Sequence, residues 1–313
     1  MHTVVPERST LHGRFSRELD PVLTVRSGET VRFSTLDVAW GLEQHTGIDT
    51  PRAKFEPRVE GRDDGPALCG PVAVEGAVAG GVLEIEIQAV RPAPWGWTFG
   101  DRVMGLGEDA GVGDEVALVR WTLDPDAGTA EDEAGHRIAL RPFLGTIGLA
   151  PAEPGYHLAW PPRRTGGNMD CRELVAGSRL FLPVEVDGGL LSVGDGHGAQ
   201  GDGEVAGMAI ECRMDAVDLR LTARPDLAYA WPRAETGAGW ITLGFDESVA
   251  RAASIAVAEM VGLIAERHGV TRGHALALAS AVVDVRITQL VNGVKGAHAV
   301  LPRGAIAGGR PAA

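Results

Sequence analysis

Three cysteines are all that this chain of 313 residues contains: Cys69, Cys171 and Cys212. None stands in a CxxC spacing, so neither a disulfide framework nor a thiolate zinc site is expected. No stretch reaches the roughly 20 uninterrupted apolar residues of a membrane-spanning helix. The first residues, Met1–Arg8, show no basic region followed by an apolar run, and so no signal peptide. A cytoplasmic protein with no membrane partner is the expectation. Positive charge is also short, with 29 Lys and Arg against 42 Asp and Glu, a formal net charge of −13. An acidic surface repels phosphate backbones, so no nucleic-acid partner is expected. No GxSxG elbow and no HExxH motif is present. Gly201, Gly203 and Gly207 mimic GxGxxG, but a strand pattern follows them instead of the helix that a dinucleotide fold needs.

Glycine and proline are plentiful and spread evenly, as suits short strands joined by turns. Pro21–Arg26 and Thr30–Leu36 read as strands around a Ser27-Gly28-Glu29 turn, with Val31, Phe33 and Thr35 alternating against Thr30, Arg32 and Ser34. Val72–Val78, Val82–Val90, Glu115–Thr122, Ile138–Leu140, Arg179–Val186, Val205–Met214 and Asp218–Thr222 read likewise. Glu84 and Glu86 alternate with Leu83, Ile85 and Ile87 and read as a solvated strand face. Helical spacing comes late: Val249, Ala252, Ala253, Ala256, Met260, Leu263 and Ile264 share one face, with Asp246 or Ser248 as cap and Gly269 as stop. Thr271 caps a second, Ala-rich helix, and Val283, Val285 and Ile287 return to strand. The expected fold is mainly β (α+β), a β-sandwich or distorted barrel with a C-terminal helical hairpin. Residues 1–245 form the β core, and 246–313 form the hairpin plus returning strands packed on it. The tail Gly308–Ala313 has nothing to bury and is expected to be mobile.

Two segments stand apart. One is Thr165-Gly166-Gly167-Asn168-Met169-Asp170; the other is Gly194–Glu204, GDGHGAQGDGE. The second sets Asp195, His197, Gln200, Asp202 and Glu204 among glycines, which admit positive φ and tight folding. Imidazole with carboxylates suits Zn²⁺ and related divalent ions, while carboxylates alone suit Ca²⁺. A surface turn explains an isolated Asp-Gly-His equally well. The flanking strand Leu190–Val193 and the adjoining acids favour a site delivered from strand ends. Glu211 is a solvent-facing strand end or a site acid. Asn168 and Asp170 are turn residues, a substrate-amide anchor and a ligand, or both. Trp95, Trp97 and Trp160 fit a pocket lining or a packed core alike.

Gly166 through Glu211 closely resembles the core of the acetamidase/formamidase family. The likeness extends to Pro21–Asp37, with its Asp after the second strand, to Gly70–Ala77, and to Asp284–Gln289 through Pro302. Three positions depart from the family's pattern: Pro66 and Thr165 stand where relatives often carry His, and Gly81 where they carry Asp. The resemblance implies hydrolysis of short aliphatic amides, formamide or acetamide-like, to acid and ammonia. For some relatives it implies γ-lactams. It also implies bound zinc or calcium and a homo-oligomer, a dimer or higher. On that footing His197 with Asp195, Asp170 or Glu204 is expected to hold a divalent metal, zinc first and calcium second. The ion would polarise the amide carbonyl and lower the pKa of a bound water. Asp37, Glu204 and Glu211 are the general-base or supporting candidates, and Asn168 or backbone N–H groups the oxyanion donors. Opening of a cyclic amide, lactam, imide or ester by the same site is the first rival. A non-catalytic ligand- or metal-binding protein is the second.

Overall fold

The computed structural model describes residues 1–308, so the expected mobile tail lies, from residue 309 on, outside the described residues. The chain is mostly β, as expected, and its sheet does not close into a barrel. The sheet is organised by its two longest strands, Val82–Gly100 and Glu211–Arg224, which pair antiparallel from Val82↔Arg224 to Trp97↔Glu211. Period-two patterning dictates both. Leu83, Ile85 and Ile87 are buried, while Glu84 and Glu86 face outward. Glu84 is tied across the sheet to Arg224 at 2.8 Å and Arg179 at 3.3 Å. In the neighbouring strand Glu29–Thr35 the same alternation buries Val31, Phe33 and Thr35.

The other edge of Glu211–Arg224 changes partner. Its first residues pair with the strand Leu191–His197, through Gly196↔Cys212 and His197↔Glu211, and its later residues pair with Glu29–Thr35. Leu191–His197 pairs on its far side with Phe143–Gly148, which in turn pairs with the short strand Gly166–Asn168. Asn168, Thr146 and Gly194 therefore lie abreast, as do Phe143, His197 and Glu211.

One strand expectation fails. Val205–Ile210 is a turn, and a single strand from Glu211 to Arg224 replaces the two expected ones. The backbone groups of the turn are satisfied elsewhere: Val205 O accepts from Leu106 N at 2.8 Å, and Gly207 N donates to Glu204 O at 2.8 Å. With these groups spent on loops and Val205 61% exposed, the segment stays out of the ladder until Ile210, which exchanges hydrogen bonds with Gly198 and Ala199.

Helices α1 (Val249–His268) and α2 (Arg272–Val282) form the expected hairpin. Gly269 at φ 62° ends α1, and the Thr271 hydroxyl accepts from His274 N at α2. The Ser248 side chain makes no cap; Asp246 instead accepts from Ser248 N at 2.9 Å. Ala252 is buried, and Ala256, Met260, Leu263 and Ile264 make a second small core with Ala299 and Leu301. No helix among the described residues is long and apolar enough to cross a membrane.

His12 is fully buried beside this framework. Its Nδ1 donates to Arg14 O at 2.8 Å and its Nε2 accepts from the Ser192 hydroxyl at 3.0 Å. Burial pushes its pKa down to about 4. The unfolded chain thus takes up this proton first. Stability from neutral His12 is complete above about pH 6.5 and is lost progressively as pH falls towards 4, by about 3 kcal/mol in all. Urea unfolding followed from pH 7 to 4 should fall less steeply for H12Q than for the unsubstituted protein; equal slopes would refute this account.

Candidate active site

Four carboxylates and one imidazole meet inside the protein. Asp170, Asp195, His197, Glu204 and Glu211 are all buried, His197 to 1% exposure. Their ligand atoms form two groups that share His197: Asp170 with Asp195, and Glu204 with Glu211, each group lying within 4.8 Å. His197 Nε2 is 3.2 Å from Asp195 Oδ1 and 3.5 Å from Glu211 Oε1. Phe143 packs edge-on to the imidazole at 5.0 Å. Thr146 Oγ1 lies 2.7 Å from Asn168 Oδ1 and 3.2 Å from Asp195 Oδ2.

The backbone is bent to achieve this. Asp170 (φ 52°), Asp195 (φ 59°) and Glu204 (φ 48°) all occupy the left-handed region. That region costs a side-chain-bearing residue on the order of 1 kcal/mol each and collects at functional sites. Gly166, Gly167 and Gly203 take the positive φ expected from the sequence, while other glycines serve close approach. Gly196 has ordinary φ, but a Cβ there would meet Cys212 O at 2.6 Å, so it lets two strands close in. Gly145 is more telling. A Cβ on it would lie 2.6 Å from Asp170 Oδ1, 2.7 Å from Asp195 Oδ2 and 2.7 Å from His197 Cε1. Gly145 therefore keeps a space open between three candidate ligands. It also accepts from Met169 N and Asp170 N through its carbonyl, which holds the Asp170 turn against it.

Burial makes these acids hard to ionise. It lifts Asp170 to about 7, helped by the Asp195 charge, and Glu211 to about 8. Glu204 is raised well above the usual range by burial and then by Asp170. Burial opposes charge on His197 too, but Glu211 and Asp195 together outweigh it and hold the imidazole well above its ordinary value. Among the described residues, four buried atoms of this cluster have no hydrogen-bond partner: Asp170 Oδ1, His197 Nδ1, Glu204 Oε2 and Glu211 Oε2. Orphaned buried acceptors, a space only glycine preserves and a mixed imidazole–carboxylate donor set together fit a divalent cation.

A cavity of about 60 Å³ opens beside the cluster. Asn168, Asp195, Glu204, Glu211 and Asn292 provide its polar wall, and Val38, Met104, Trp160 and Met208 its apolar one. It has room for a molecule of roughly a few heavy atoms.

Of the residues singled out in the sequence, Asp37 and Asp202 stand apart from this cluster; Asp37 is fully engaged elsewhere. Its Oδ1 accepts from Ala39 N (3.0 Å) and Gly41 N (2.7 Å), its Oδ2 from Arg52 Nη1 (2.5 Å) and Trp97 Nε1 (3.0 Å). With four donors it anchors the loop after Thr35 and has no lone pair aimed at the cavity. Trp97 is buried and serves that anchor, whereas Trp160 lines the cavity. Asp202 turns outward toward Arg286 at 3.9 Å. Gln200 donates to Asp170 O at 3.0 Å and supports the turn. Pro66 and Thr165, where relatives often carry His, are buried outside both ligand groups. Sequence reasoning missed Gly145, Thr146 and Asn292. Gly145 did leave a trace, a glycine inside the apolar run Phe143–Ile147. Asn292 donates to Asp170 Oδ2 at 2.5 Å from 122 residues away, behind what reads as an ordinary Asn-Gly turn.

The sequence profile of the acetamidase/formamidase family matches residues 2–159 and 155–229. A formamidase-named protein of Schizosaccharomyces pombe is 27% identical over 260 residues, 64% of this chain and 60% of that one. The acetamidase of Mycolicibacterium smegmatis is 30% identical over 197 residues, 44% of this chain and 48% of that one. The chain thus spans about half to three fifths of these curated relatives. The crystal structure of an acetamidase from Bacillus halodurans superimposes with a TM-score of 0.85 at 27% identity, covering 96% of this chain and 97% of that one.

Filling the space at Gly145 should weaken cation binding at this cluster. In G145A the new methyl group displaces Asp170 and Asp195, and overpacking of this kind costs about 1–3 kcal/mol. Zinc titration by calorimetry should show at least roughly tenfold weaker binding, with far-ultraviolet circular dichroism unchanged. Unaltered affinity would show that the space serves no ion.

Proposed function

The chain belongs to the acetamidase/formamidase family, and from that premise we propose that it hydrolyses a small primary amide to a carboxylic acid and ammonia. The observation that carries the reading is the buried cluster around Gly145, opening on a cavity with one polar and one apolar wall. So much acidity is not buried for stability, since isolated buried charges are costly. A small cavity with no Lys or Arg in its wall among the described residues suits a neutral substrate with a short acyl group.

Asp170, Asp195 and His197 are the residues that would hold a divalent ion, zinc by donor type and calcium as the alternative. Such an ion, when bound, acts as a Lewis acid toward a carbonyl and makes water more acidic. The remaining work falls to the chain. Asn168 donates to the oxygen that gains charge as the carbonyl becomes tetrahedral. Glu204 and Glu211, on the cavity wall with raised pKa values, are suited to take a proton from the attacking water and return it to the departing nitrogen. The C–O bond forms, the C–N bond breaks, and ammonia leaves with that proton. Val38, Met104, Trp160 and Met208 enclose the acyl group and keep other water out.

Three further points belong to the same reading. Of the segment 246–313, the described residues 246–308 are a subdomain docked on the 1–245 core, a reading supported by the ladder Gly239–Asp246 with Lys295–Pro302. The chain forms a homo-oligomer, supported by the exposed apolar Leu276, Val285 and Ile287 beside the edge strand Asp284–Gln289. Its location is cytoplasmic, in keeping with three buried unpaired cysteines.

The test is ammonia release from formamide and acetamide by protein loaded with zinc. Chelation should abolish turnover and re-addition restore it. H197A should lower kcat/KM by about a hundredfold or more. A metal-replete protein that binds no divalent ion, or a rate indifferent to chelator, would sink the metal-assisted mechanism.

A further inference from the structure

Two asparagines face the same small cavity, and each is already held by one end of its amide. Asn168 Oδ1 is engaged by the Thr146 hydroxyl at 2.7 Å, which turns its –NH₂ away from that contact. Asn292 is held the other way round: its Nδ2 donates to Asp170 Oδ2 at 2.5 Å, which leaves its carbonyl oxygen free. Among the described residues neither Asn168 Nδ2 nor Asn292 Oδ1 has a hydrogen-bond partner, and neither is a sealed, orphaned atom. The cavity therefore offers one fixed amide donor and one fixed amide acceptor. A primary amide carries the complement, a carbonyl acceptor and an –NH₂ donor on adjacent atoms.

We propose that Asn292 is the specificity-determining residue for the nitrogen half of the substrate, accepting an N–H through Oδ1 while Asn168 donates to the carbonyl. This deepens the amide-hydrolase reading and rests on it. The neighbouring carboxylates cannot do the same job as selectively. Each can take up a proton and so switch between acceptor and donor, and the protons of the reaction pass through them. An asparagine oxygen does not titrate, so with Nδ2 committed to Asp170 the Oδ1 of Asn292 remains an acceptor. It welcomes an N–H and repels the lone pairs of an ester oxygen. An acceptor left unpaired in a closed site is penalised, which turns a single contact into discrimination.

The experiment compares acetamide with methyl acetate, which lacks the N–H, the ester being followed as a substrate or as a competitive inhibitor. In N292A, kcat/KM for acetamide should fall by roughly tenfold or more beyond the loss seen with methyl acetate, because the ester loses only the steadying of Asp170 while acetamide also loses its N–H acceptor. If N292A is poorly folded, N292S carries the same comparison. A loss shared equally by amide and ester would overturn the inference, because Asn292 would then act only by steadying Asp170. Unchanged acetamide turnover would overturn it as well. A wild-type protein that hydrolyses no amide would instead overturn the reading of the site on which this rests.

Discussion

Everything near the centre of this protein answers to one electrostatic constraint: four carboxyl groups share a buried space with a single imidazole. Bringing such groups out of water is costly unless their charge is offset. The fold does part of that by letting protons stay on, since burial raises Asp170, Glu204 and Glu211 alike. Glu211 and Asp195 raise the pKa of His197, so positive charge is favoured at this point, either as a proton on the imidazole or as an ion that the neutral ring would hold. The donor geometry leaves room for a divalent ion to complete the balance.

That constraint explains choices that look odd locally. Left-handed backbone at Asp170, Asp195 and Glu204 is unfavourable in isolation. It is the way three strand and turn segments aim short side chains at one point. The sheet supplies the rigidity that sustains it, with Phe143, His197 and Glu211 in register across adjacent strands. The C-terminal segment adds the last restraint. Gly203 N donates to Thr288 O at 3.1 Å, Leu290 N donates to Gly203 O at 3.1 Å, and Asn292 reaches Asp170. The turn that carries Glu204 is thereby clamped from outside the motif.

The sequence was legible where a periodic pattern meets a single environment. The alternation in Thr30–Leu36 and Leu83–Ile87, the spaced apolar face of α1 and the stop at Gly269 all appear in the structure. The site motif was legible because Asp170, Asp195, His197, Glu204 and Glu211 sit close together in the chain, in a pattern with a family likeness. The misreading of Val205–Ile210 has a physical cause. Val, Ala, Met and Ile there satisfy strand propensity, but Glu204 and Gly207 turn the backbone and the loop at Leu106 takes Val205 O. Asp37 looked chemical because it is acidic and follows a strand, yet its value is its four donors. Gly145 and Asn292 were hidden for the opposite reason, since a missing Cβ and a distant side chain leave no local pattern.

The reach of Asn292 also has a temporal meaning. Synthesis proceeds from the N-terminus, so the strands holding Asp170, His197 and Glu211 emerge long before residue 292 does. The contact that closes the site spans 122 positions and waits for both helices to be made. A nascent chain can thus build its sheet while its acids are still unclamped. The restraint on Asp170 is in place only once the strands Asp284–Gln289 and Lys295–Pro302 have paired.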